Sequence, residues 1–182
     1  MQPSKNILTW LQANASNRHY LFSLKDLKAL CPELSNNNFK TLLSRMVKTG
    51  FLEKICRGLY AYKSNLFSNG LLLFHAAAYL RSHEFNYISL ETALSDAGII
   101  SQVPINVISI MSSGRSNTIA CGKFGVIEFV HTHQKPVHVM NQLTYDVHCR
   151  LWRASTNLAI KDMKKTHRNC DLIDWKMANE LI

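Results

Sequence analysis

Acidic side chains are scarce in this sequence, and so are glycine and proline. The 182 residues include 12 Asp or Glu against 21 Lys or Arg, with only 7 Gly and 4 Pro. So little glycine and proline excludes a collagen-like or low-complexity chain, and a hydrophobic fraction of 47% is enough for a buried core. The sequence therefore predicts one full globular domain or two small ones.

Long apolar runs and paired cysteines are also missing. The longest apolar stretch, residues 71–80, contains His75 and is much shorter than the roughly 20 residues of a membrane helix. The chain does not open with a basic segment followed by an apolar one, so we expect no signal peptide. The five cysteines form no C-x-x-C pair, which argues against a disulfide framework and a zinc ribbon. We expect a cytoplasmic protein with free thiols and no membrane contact.

The excess positive charge lies mostly in the first third of the chain. Residues 1–64 carry ten Lys or Arg and three Asp or Glu, a net +7, whereas residues 65–182 carry eleven and nine, a net +2. Charge that serves only solubility would be expected to spread evenly. A polyanion is the natural partner of such a segment, and nucleic acid is the commonest one. The charge distribution thus indicates nucleic-acid binding by residues 1–64.

The apolar periodicity of this segment predicts three helices. The first is expected over about residues 5–14. The second begins after the N-cap Ser23 with a capping box and is stopped by Pro32. The third begins after Ser35, and Gly50 stands where a C-cap glycine is expected.

A β-hairpin follows the predicted third helix. Residues 51–56 and 59–62 are short β-prone runs, and Arg57-Gly58 between them is a tight turn. Three helices and then a hairpin are the element order of a winged helix-turn-helix. We therefore predict a DNA-binding domain of this kind over residues 1–64, with the hairpin as the wing.

The polar face of the third helix has the chemistry of a DNA-reading surface. At about 100° per residue, its polar side chains fall opposite the apolar stripe, and none of them is acidic. A helix in the major groove needs donors for base edges and cations for phosphates, and must keep carboxylates away. The alternative is an ordinary solvated helix face. The residues predicted to bind DNA are Asn36, Asn37, Lys40, Thr41, Ser44, Arg45 and Lys48 on the helix, with Lys54 and Arg57 on the wing.

Residues 65–182 are predicted to form a second domain, in which helices surround a small antiparallel sheet, so that the whole chain is of the α+β class. A helix is expected to follow the N-cap Ser89. Turn-like segments separate the strand-like runs, which suggests a meander. Further helices are expected at 71–82, 157–166 and 175–181, and strands at 105–111, 118–121 and 126–130, with 137–140 as an edge strand.

Catalytic and metal-binding patterns do not favour an enzyme. His131 and His133 share a strand face, but no third ligand stands at a fixed spacing from them. Glu128, Asp146 and Asp162 have no close carboxylate partner, whereas metal-dependent nucleases and nucleotidyltransferases need clustered carboxylates. We predict no catalytic residue, metal or cofactor. A nucleic-acid enzyme stays as a third hypothesis, which a divalent-metal-dependent nuclease or transferase assay would test.

A basic run near the end of the chain has two interpretations. Lys161, Lys164, Lys165 and Arg168 are either a solvated helix face or a supplementary DNA or RNA contact.

Two segments of the sequence resemble the AbiEi family, the antitoxins of abortive-infection type IV toxin–antitoxin systems. Residues 50–60 follow the family's G-x-L-x-x-x-x-x-G-x-Y passage, which other winged helices share. The more specific segment comprises residues 87–94 and 98–104 and ends in the strand residues 127–129. Residues 158–162 are also similar to the late helix of the family.

The resemblance implies two activities. The N-terminal domain would bind double-stranded DNA at inverted repeats in its own promoter and repress transcription. The C-terminal domain would oppose a nucleotidyltransferase-like toxin encoded alongside. The alternative is a stand-alone winged-helix regulator without a cognate toxin, and an adjacent nucleotidyltransferase gene would favour the antitoxin.

Overall fold

Both helices and β-sheets build this protein, so the predicted α+β class is confirmed. The computed structural model describes residues 2–66, 70–101 and 106–181. Residues 1–69 and 70–182 form two compact units. Parts of the predicted strand at 105–111 and the predicted chain break at Pro104 lie outside the described residues. Among the helices of the described ranges, none has the length and apolar character needed to cross a bilayer.

The first unit combines three helices with a three-stranded antiparallel sheet in the order β1-β3-β2. The predicted helices and hairpin are all present, but strand β1 was not predicted. It is only three residues long, too short for an alternating pattern, and its last residue also caps the next helix. The elements are α1 (Pro3–Asn14), β1 (Leu21–Ser23), α2 (Leu24–Ala29), α3 (Asn36–Lys48), β2 (Leu52–Cys56) and β3 (Leu59–Tyr62).

Local side-chain chemistry sets the helix boundaries of this unit. The Ser23 hydroxyl accepts a hydrogen bond from the Asp26 amide, and the Asp26 carboxylate accepts one from the Ser23 amide. This reciprocal pair confirms the predicted capping box. The Ser35 hydroxyl accepts from the amide of Asn38 at the start of α3. Gly50 ends the same helix in the left-handed region, at φ +80°, which glycine adopts without strain.

One hydrophobic core fixes the orientation of α3. Phe39, Leu43 and Met46 point from this helix into the core and are almost fully buried. Because these three residues define one face, the opposite face of α3 is left to the solvent. The other core residues are Ile7, Leu11, Phe22, Leu27, Cys31, Leu52 and Tyr62.

The second unit is built on a sheet whose described strands run in the order β6-β7-β5-β4-β9-β8. Helices α5 and α7 pack against each other, and α5 also packs against β5. The elements are α4 (Leu72–Leu80), β4 (Asn86–Ile88), α5 (Leu90–Asp96), β5 (Val107–Ser112), β6 (Asn117–Ala120), β7 (Val126–His131), α6 (Pro136–Val139), β8 (Leu143–Asp146), β9 (Leu151–Ala154), α7 (Thr156–Lys165) and α8 (Trp175–Leu181).

The prediction of a small antiparallel sheet is wrong, because this sheet is mixed. Strand β5 pairs in parallel with β7, and β4 pairs in parallel with β9. A meander would place β6 between β5 and β7, but β6 lies outside β7 at the sheet edge. Burial explains the order: β6 is polar and mostly exposed, whereas β5 is apolar and buried along nearly its whole length. The apolar strand takes the interior position and the polar one the edge.

The predicted edge strand at 137–140 is also wrong. Residues 136–139 form the short helix α6, with Pro136 in its first turn, where the missing N–H leaves no hydrogen bond unmade. The sheet edge is supplied instead by β8, paired with β9. These two strands were not predicted, since β8 is polar and β9 mixes apolar with charged residues.

A buried carboxylate ties α7 to the sheet. Asp162 is fully buried, and its Oδ2 accepts hydrogen bonds from the hydroxyls of Tyr87 at 3.0 Å and Ser89 at 2.8 Å. Its Oδ1 accepts from the side-chain amide of Gln134 at 2.8 Å. Ser89 does hold the N-cap position of α5, as predicted, but its hydroxyl makes no capping bond. Burial raises the pKa of Asp162, and the three donors oppose the shift.

Candidate nucleic-acid interface

The exposed face of α3 carries all seven helix residues predicted to bind DNA. Every one of them is solvent-exposed, while Phe39, Leu43 and Met46 on the other face are buried. The structure thereby brings the predicted residues together on one surface. We call this surface the α3 face; it consists of Asn36, Asn37, Lys40, Thr41, Ser44, Arg45 and Lys48.

Most side chains of the α3 face are free to meet a ligand. Among the described residues, Lys40, Arg45 and Lys48 make no ion pair, and Asn37 and Ser44 make no side-chain hydrogen bond. Thr41 differs, because its hydroxyl donates to the backbone oxygen of Asn37 at 3.0 Å. The Thr41 hydroxyl therefore keeps only its accepting capacity for a partner.

The α3 face is a cationic surface without a carboxylate of its own. It holds three positive side chains, and all three acidic residues of this unit lie on other elements. Asp26 is committed to the capping box of α2, Glu33 lies in the segment before α3, and Glu53 lies on β2. A surface of this kind attracts phosphates through charge and offers amide and hydroxyl groups to base edges.

The two predicted wing residues lie on the β2–β3 hairpin. Lys54 is an exposed residue of β2 opposite Tyr60, and Arg57 is exposed in the turn. Gly58 beside it has φ +80°, the left-handed conformation that a tight hairpin turn requires. A register shift between Lys54 and Cys56 marks a bulge in the hairpin. Both cations are therefore exposed on the hairpin.

One cation near α3 was not predicted. Exposed Lys25 on α2 and Asn36 line the same depression of about 470 Å³. Lys28 lines it too, but its ammonium group donates to the backbone oxygens of Cys31 and Pro32. It thereby satisfies backbone acceptors that follow the C-terminal end of α2. Lys25 has no such commitment among the described residues. The sequence does place Lys25 and Lys28 three residues apart on the second helix, a spacing that indicates neighbouring cations on one helix surface.

Two of the three carboxylates that were predicted to lack a close carboxylate partner share an arginine with another acidic residue. Glu128 and Glu91 share Arg168, at 2.5 and 3.5 Å from its guanidinium nitrogens. Asp146 similarly shares Arg153 with Asp96.

Each of these carboxylate pairs is partnered by an arginine. Burial tends to raise the pKa of Asp146, but hydrogen bonds from the Cys149 amide and from Arg153 outweigh it and lower this pKa to about 2.

The imidazoles of His131 and His133 approach within 3.4 Å of each other. Within the described ranges, however, no three His, Cys, Asp or Glu side chains are grouped to hold a metal ion.

The late basic run is only partly available to a ligand. Lys161, Lys164 and Lys165 are exposed on α7, whereas Arg168 is held by its two glutamates. The Lys164 ammonium lies 5.3 Å from the centre of the Trp175 ring. Both interpretations of this run, a solvated face or a nucleic-acid contact, stay open for the three lysines.

Residues 11–63 match the model of a family described as a transcriptional regulator, the AbiEi antitoxin. These residues are thus similar to the AbiEi family, which confirms the resemblance for this part of the chain. The match includes all of α2, α3 and the hairpin, and covers under a third of the chain. No curated protein matches the sequence significantly.

Proposed function

We propose that this protein is a DNA-binding antitoxin and transcriptional autorepressor of a type IV toxin–antitoxin system. In this proposal residues 1–64 are a winged helix-turn-helix that binds inverted repeats in the protein's own promoter. The second unit counteracts a nucleotidyltransferase-like toxin. The family of residues 11–63 supports the regulatory part directly, and the antitoxin part through its description.

The arrangement of the first unit supports the winged-helix part of the proposal. A short segment joins α2 to α3, and β2 and β3 form a hairpin directly after α3. In a helix-turn-helix protein the second helix of the pair enters the major groove. With 13 residues, α3 is roughly 20 Å long, and its diameter fits a groove about 12 Å wide. The hairpin turn would contact the flanking backbone through Lys54 and Arg57.

The observation that carries the proposal is the composition of the α3 face. Seven polar or cationic side chains share one exposed surface, no carboxylate stands among them, and the buried stripe behind them holds the helix in place. Its cations would anchor phosphates and its amides and hydroxyls would read bases. An ordinary solvated helix usually mixes both signs of charge, so solubility alone does not account for this face.

The test is an electrophoretic mobility shift with the fragment upstream of the gene. We expect the full chain to bind this fragment more tightly than a shuffled fragment of equal length, at a stated salt concentration, because affinity depends steeply on salt. Footprinting should then show protection over inverted repeats. Equal affinity for both fragments would contradict sequence-specific repression.

The stand-alone regulator remains the second candidate because the family match lies within the first unit. The two candidates differ in whether the protein protects a cell from a toxin. An adjacent nucleotidyltransferase gene, whose product arrests growth and is counteracted by this protein, would favour the antitoxin. Growth arrest that persists when both proteins are expressed from unrelated promoters would favour the regulator.

A further inference from the structure

A small cavity opens in the second unit where the end of α4 meets strands β4, β8 and β9. Its volume is about 170 Å³. The wall combines aromatic rings, two guanidinium groups and an amide, a mixture that differs from the apolar core of the unit. The residues that matter here are Arg81, Phe85, Asn86, Tyr145, Arg150 and Trp152.

The aromatic side of the cavity is accessible to a ligand. Tyr145 on edge strand β8 is 48% exposed, and its ring packs edge-on against Trp152 at 5.3 Å between centroids. Phe85 lies on the same wall. Rings that are supported on one side and open on the other are the surfaces on which proteins stack unpaired nucleobases.

Two arginines, Arg81 and Arg150, line the cavity, and the guanidinium group of Arg81 is held by residues outside it. The Arg81 guanidinium donates to the Ser112 hydroxyl at 2.8 Å and to the backbone oxygen of Arg115 at 2.5 Å. It also lies 3.9 Å from the centre of the Phe129 ring. The wall includes one carboxylate, Glu84, which accepts a hydrogen bond from Ser113. With Arg150, the cations outnumber the anion, which favours an anionic or electron-rich ligand.

The amide in the wall has an unused acceptor. Asn86 is only 6% exposed, and its side-chain nitrogen donates to the backbone oxygens of Arg81 at 2.7 Å and Glu84 at 2.8 Å. Its side-chain oxygen is buried and has no hydrogen-bond donor among the described residues. A buried acceptor without a donor is costly. The oxygen has almost no accessible surface, so Asn86 contributes to the shape of the cavity wall and not to ligand binding.

We propose that this cavity binds one unstacked nucleobase. A flat ring fits the open face of the aromatic wall, and an attached phosphate fits the positive charge contributed by the arginines of the wall. The volume is below the roughly 300 Å³ at which pockets enclose a drug-sized molecule, so it suits a single ring system. The base comes either from a free nucleotide or from a single-stranded nucleic acid, because a base in duplex DNA is paired and stacked.

This site is independent of the proposed operator binding. Duplex recognition is assigned to the α3 face, whereas the cavity lies wholly among residues 78–152 of the second unit. Loss of one activity therefore leaves the other to be measured.

The experiment measures binding of nucleotides to the full chain by isothermal titration calorimetry. The probes are the four ribonucleoside 5′-monophosphates, with ribose 5-phosphate as a ligand that carries the same phosphate and no base. We expect at least one mononucleotide to bind about tenfold more tightly than ribose 5-phosphate. Single-stranded hexaribonucleotides form the second arm. Binding of a hexamer without measurable binding of any mononucleotide would assign the base to a single strand.

Two cavity variants and one matched control show whether the nucleotide binds in this cavity. Tyr145→Ala removes the exposed stacking ring and should weaken binding roughly 5- to 100-fold, the range for one lost base stack. Ala78→Phe should block the cavity from the α4 side without touching β8. Trp175→Ala removes an equally exposed ring from α8, outside the cavity, and should leave affinity unchanged.

Thermal melting establishes that each variant is folded, and Ala78→Phe replaces Tyr145→Ala if the latter does not fold. The proposal is overturned if base-bearing and base-free ligands bind equally. It is also overturned if the folded cavity variants bind as well as Trp175→Ala does.

Discussion

The side chains of the α3 face differ in what they can offer to DNA. Lys40, Arg45 and Lys48 carry charge on flexible stems and suit phosphates, which every sequence presents. Asn37 has an amide with two donors and an acceptor, and can pair with an adenine edge. Thr41 has already used its hydroxyl donor within the helix. Substitutions at these two kinds of residue should therefore have different consequences.

The combined variant Lys40→Ala, Arg45→Ala and Lys48→Ala should weaken binding to operator and non-operator DNA alike. Each lost phosphate contact reduces the number of released counterions, so the log–log slope of affinity against salt should fall by about one unit per contact. Titrations at several salt concentrations measure both quantities.

The matched control neutralises three exposed lysines of the second unit outside the late basic run, Lys123, Lys135 and Lys176. It removes the same formal charge and should leave the salt slope for the operator unchanged. An unaltered slope in the α3 variant, or an equal loss in both variants, would refute the assignment of DNA binding to α3.

Substitution of Asn37 should alter sequence preference rather than general affinity. Asn37→Ala is expected to lose roughly 1–3 kcal/mol on the preferred operator and much less on non-specific DNA, because a base contact discriminates by that amount. Thr41→Val keeps the shape of the side chain and removes a hydroxyl whose donor is already used within the helix. DNA therefore loses only an acceptor, and the effect on recognition should be smaller. Competition binding against a library of operator variants would show which position loses discrimination. Uniform loss across all sequences would mean that Asn37 contacts the backbone.

Asp162 should make the stability of the second unit depend on pH. Burial raises its pKa above the ordinary value of 3.8, so the native state holds this proton more tightly than the unfolded chain does. The free energy of unfolding should consequently fall as pH rises from the ordinary value through the raised one. Asp162→Asn removes this titration while it retains a side chain that can accept and donate hydrogen bonds.

Urea unfolding of both proteins between about pH 4 and pH 8 tests the sign. Relative to the wild type, the Asp162→Asn protein should gain stability with increasing pH. Asp171→Asn, an exposed control, should follow the wild type. A stability difference between Asp162→Asn and the wild type that is constant over this range would show that Asp162 has an ordinary pKa.

At the scale of elements, the start of α3 depends on one hydroxyl. Ser35→Ala should lower the free energy of unfolding by about 1 kcal/mol, because an amide in the first turn loses its acceptor. Ser35→Gly should cost only a few tenths of that, since glycine is tolerated at this position. Chemical denaturation of the two variants measures the difference. A Ser35→Ala protein as stable as the wild type would show that the Ser35 hydroxyl does not stabilise α3.

Elements with local signals were predicted, and those that depend on distant pairing were not. The capping residues Ser23 and Ser35 and the glycine after α3 lie next to the helices that they delimit, so a short window contains the signal. Strand β1 exists because β3 offers it a partner about 40 residues later in the chain. The parallel pairing of β5 with β7 is equally non-local, because it depends on which strand is apolar enough for the interior.

The α3 face and the cavity of the second unit differ in the same way in how far the sequence could predict them. The α3 face could be predicted because helical periodicity converts spacing in the sequence directly into position on a surface. The cavity at Tyr145 could not, since its wall comes from α4, β4, β8 and β9, and none of these three strands was predicted. The pairing of Arg168 with Glu91 and Glu128 was missed for the same reason.

At the scale of the whole molecule, the two units have separate cores and different charge. Residues 70–182 alone should fold with a cooperative thermal transition and should not bind the operator, because the α3 face is absent. Residues 1–69 should retain salt-dependent DNA binding. Circular dichroism melting and mobility shifts of the two fragments test this. A non-cooperative melt of the larger fragment would show that its stability requires the first unit.

Toxin neutralisation should depend on the second unit and not on DNA binding. The more specific part of the AbiEi resemblance, residues 87–129, lies in this unit, and its nearly balanced charge suits a role other than wrapping DNA. The full chain with the triple substitution in α3 is the most informative variant, because it keeps both units and loses only the ability to bind the operator. It should restore growth when a cognate toxin is expressed from a promoter without the operator.

Residues 70–182 should restore growth under the same conditions, and residues 1–69 should not. Because the toxin's promoter carries no operator, repression contributes nothing to rescue in this design. Rescue by the wild type only when the native promoter drives the toxin would have a different meaning. Protection would then come from lowered toxin transcription, the second unit would have no antitoxin activity, and the protein would be a repressor alone.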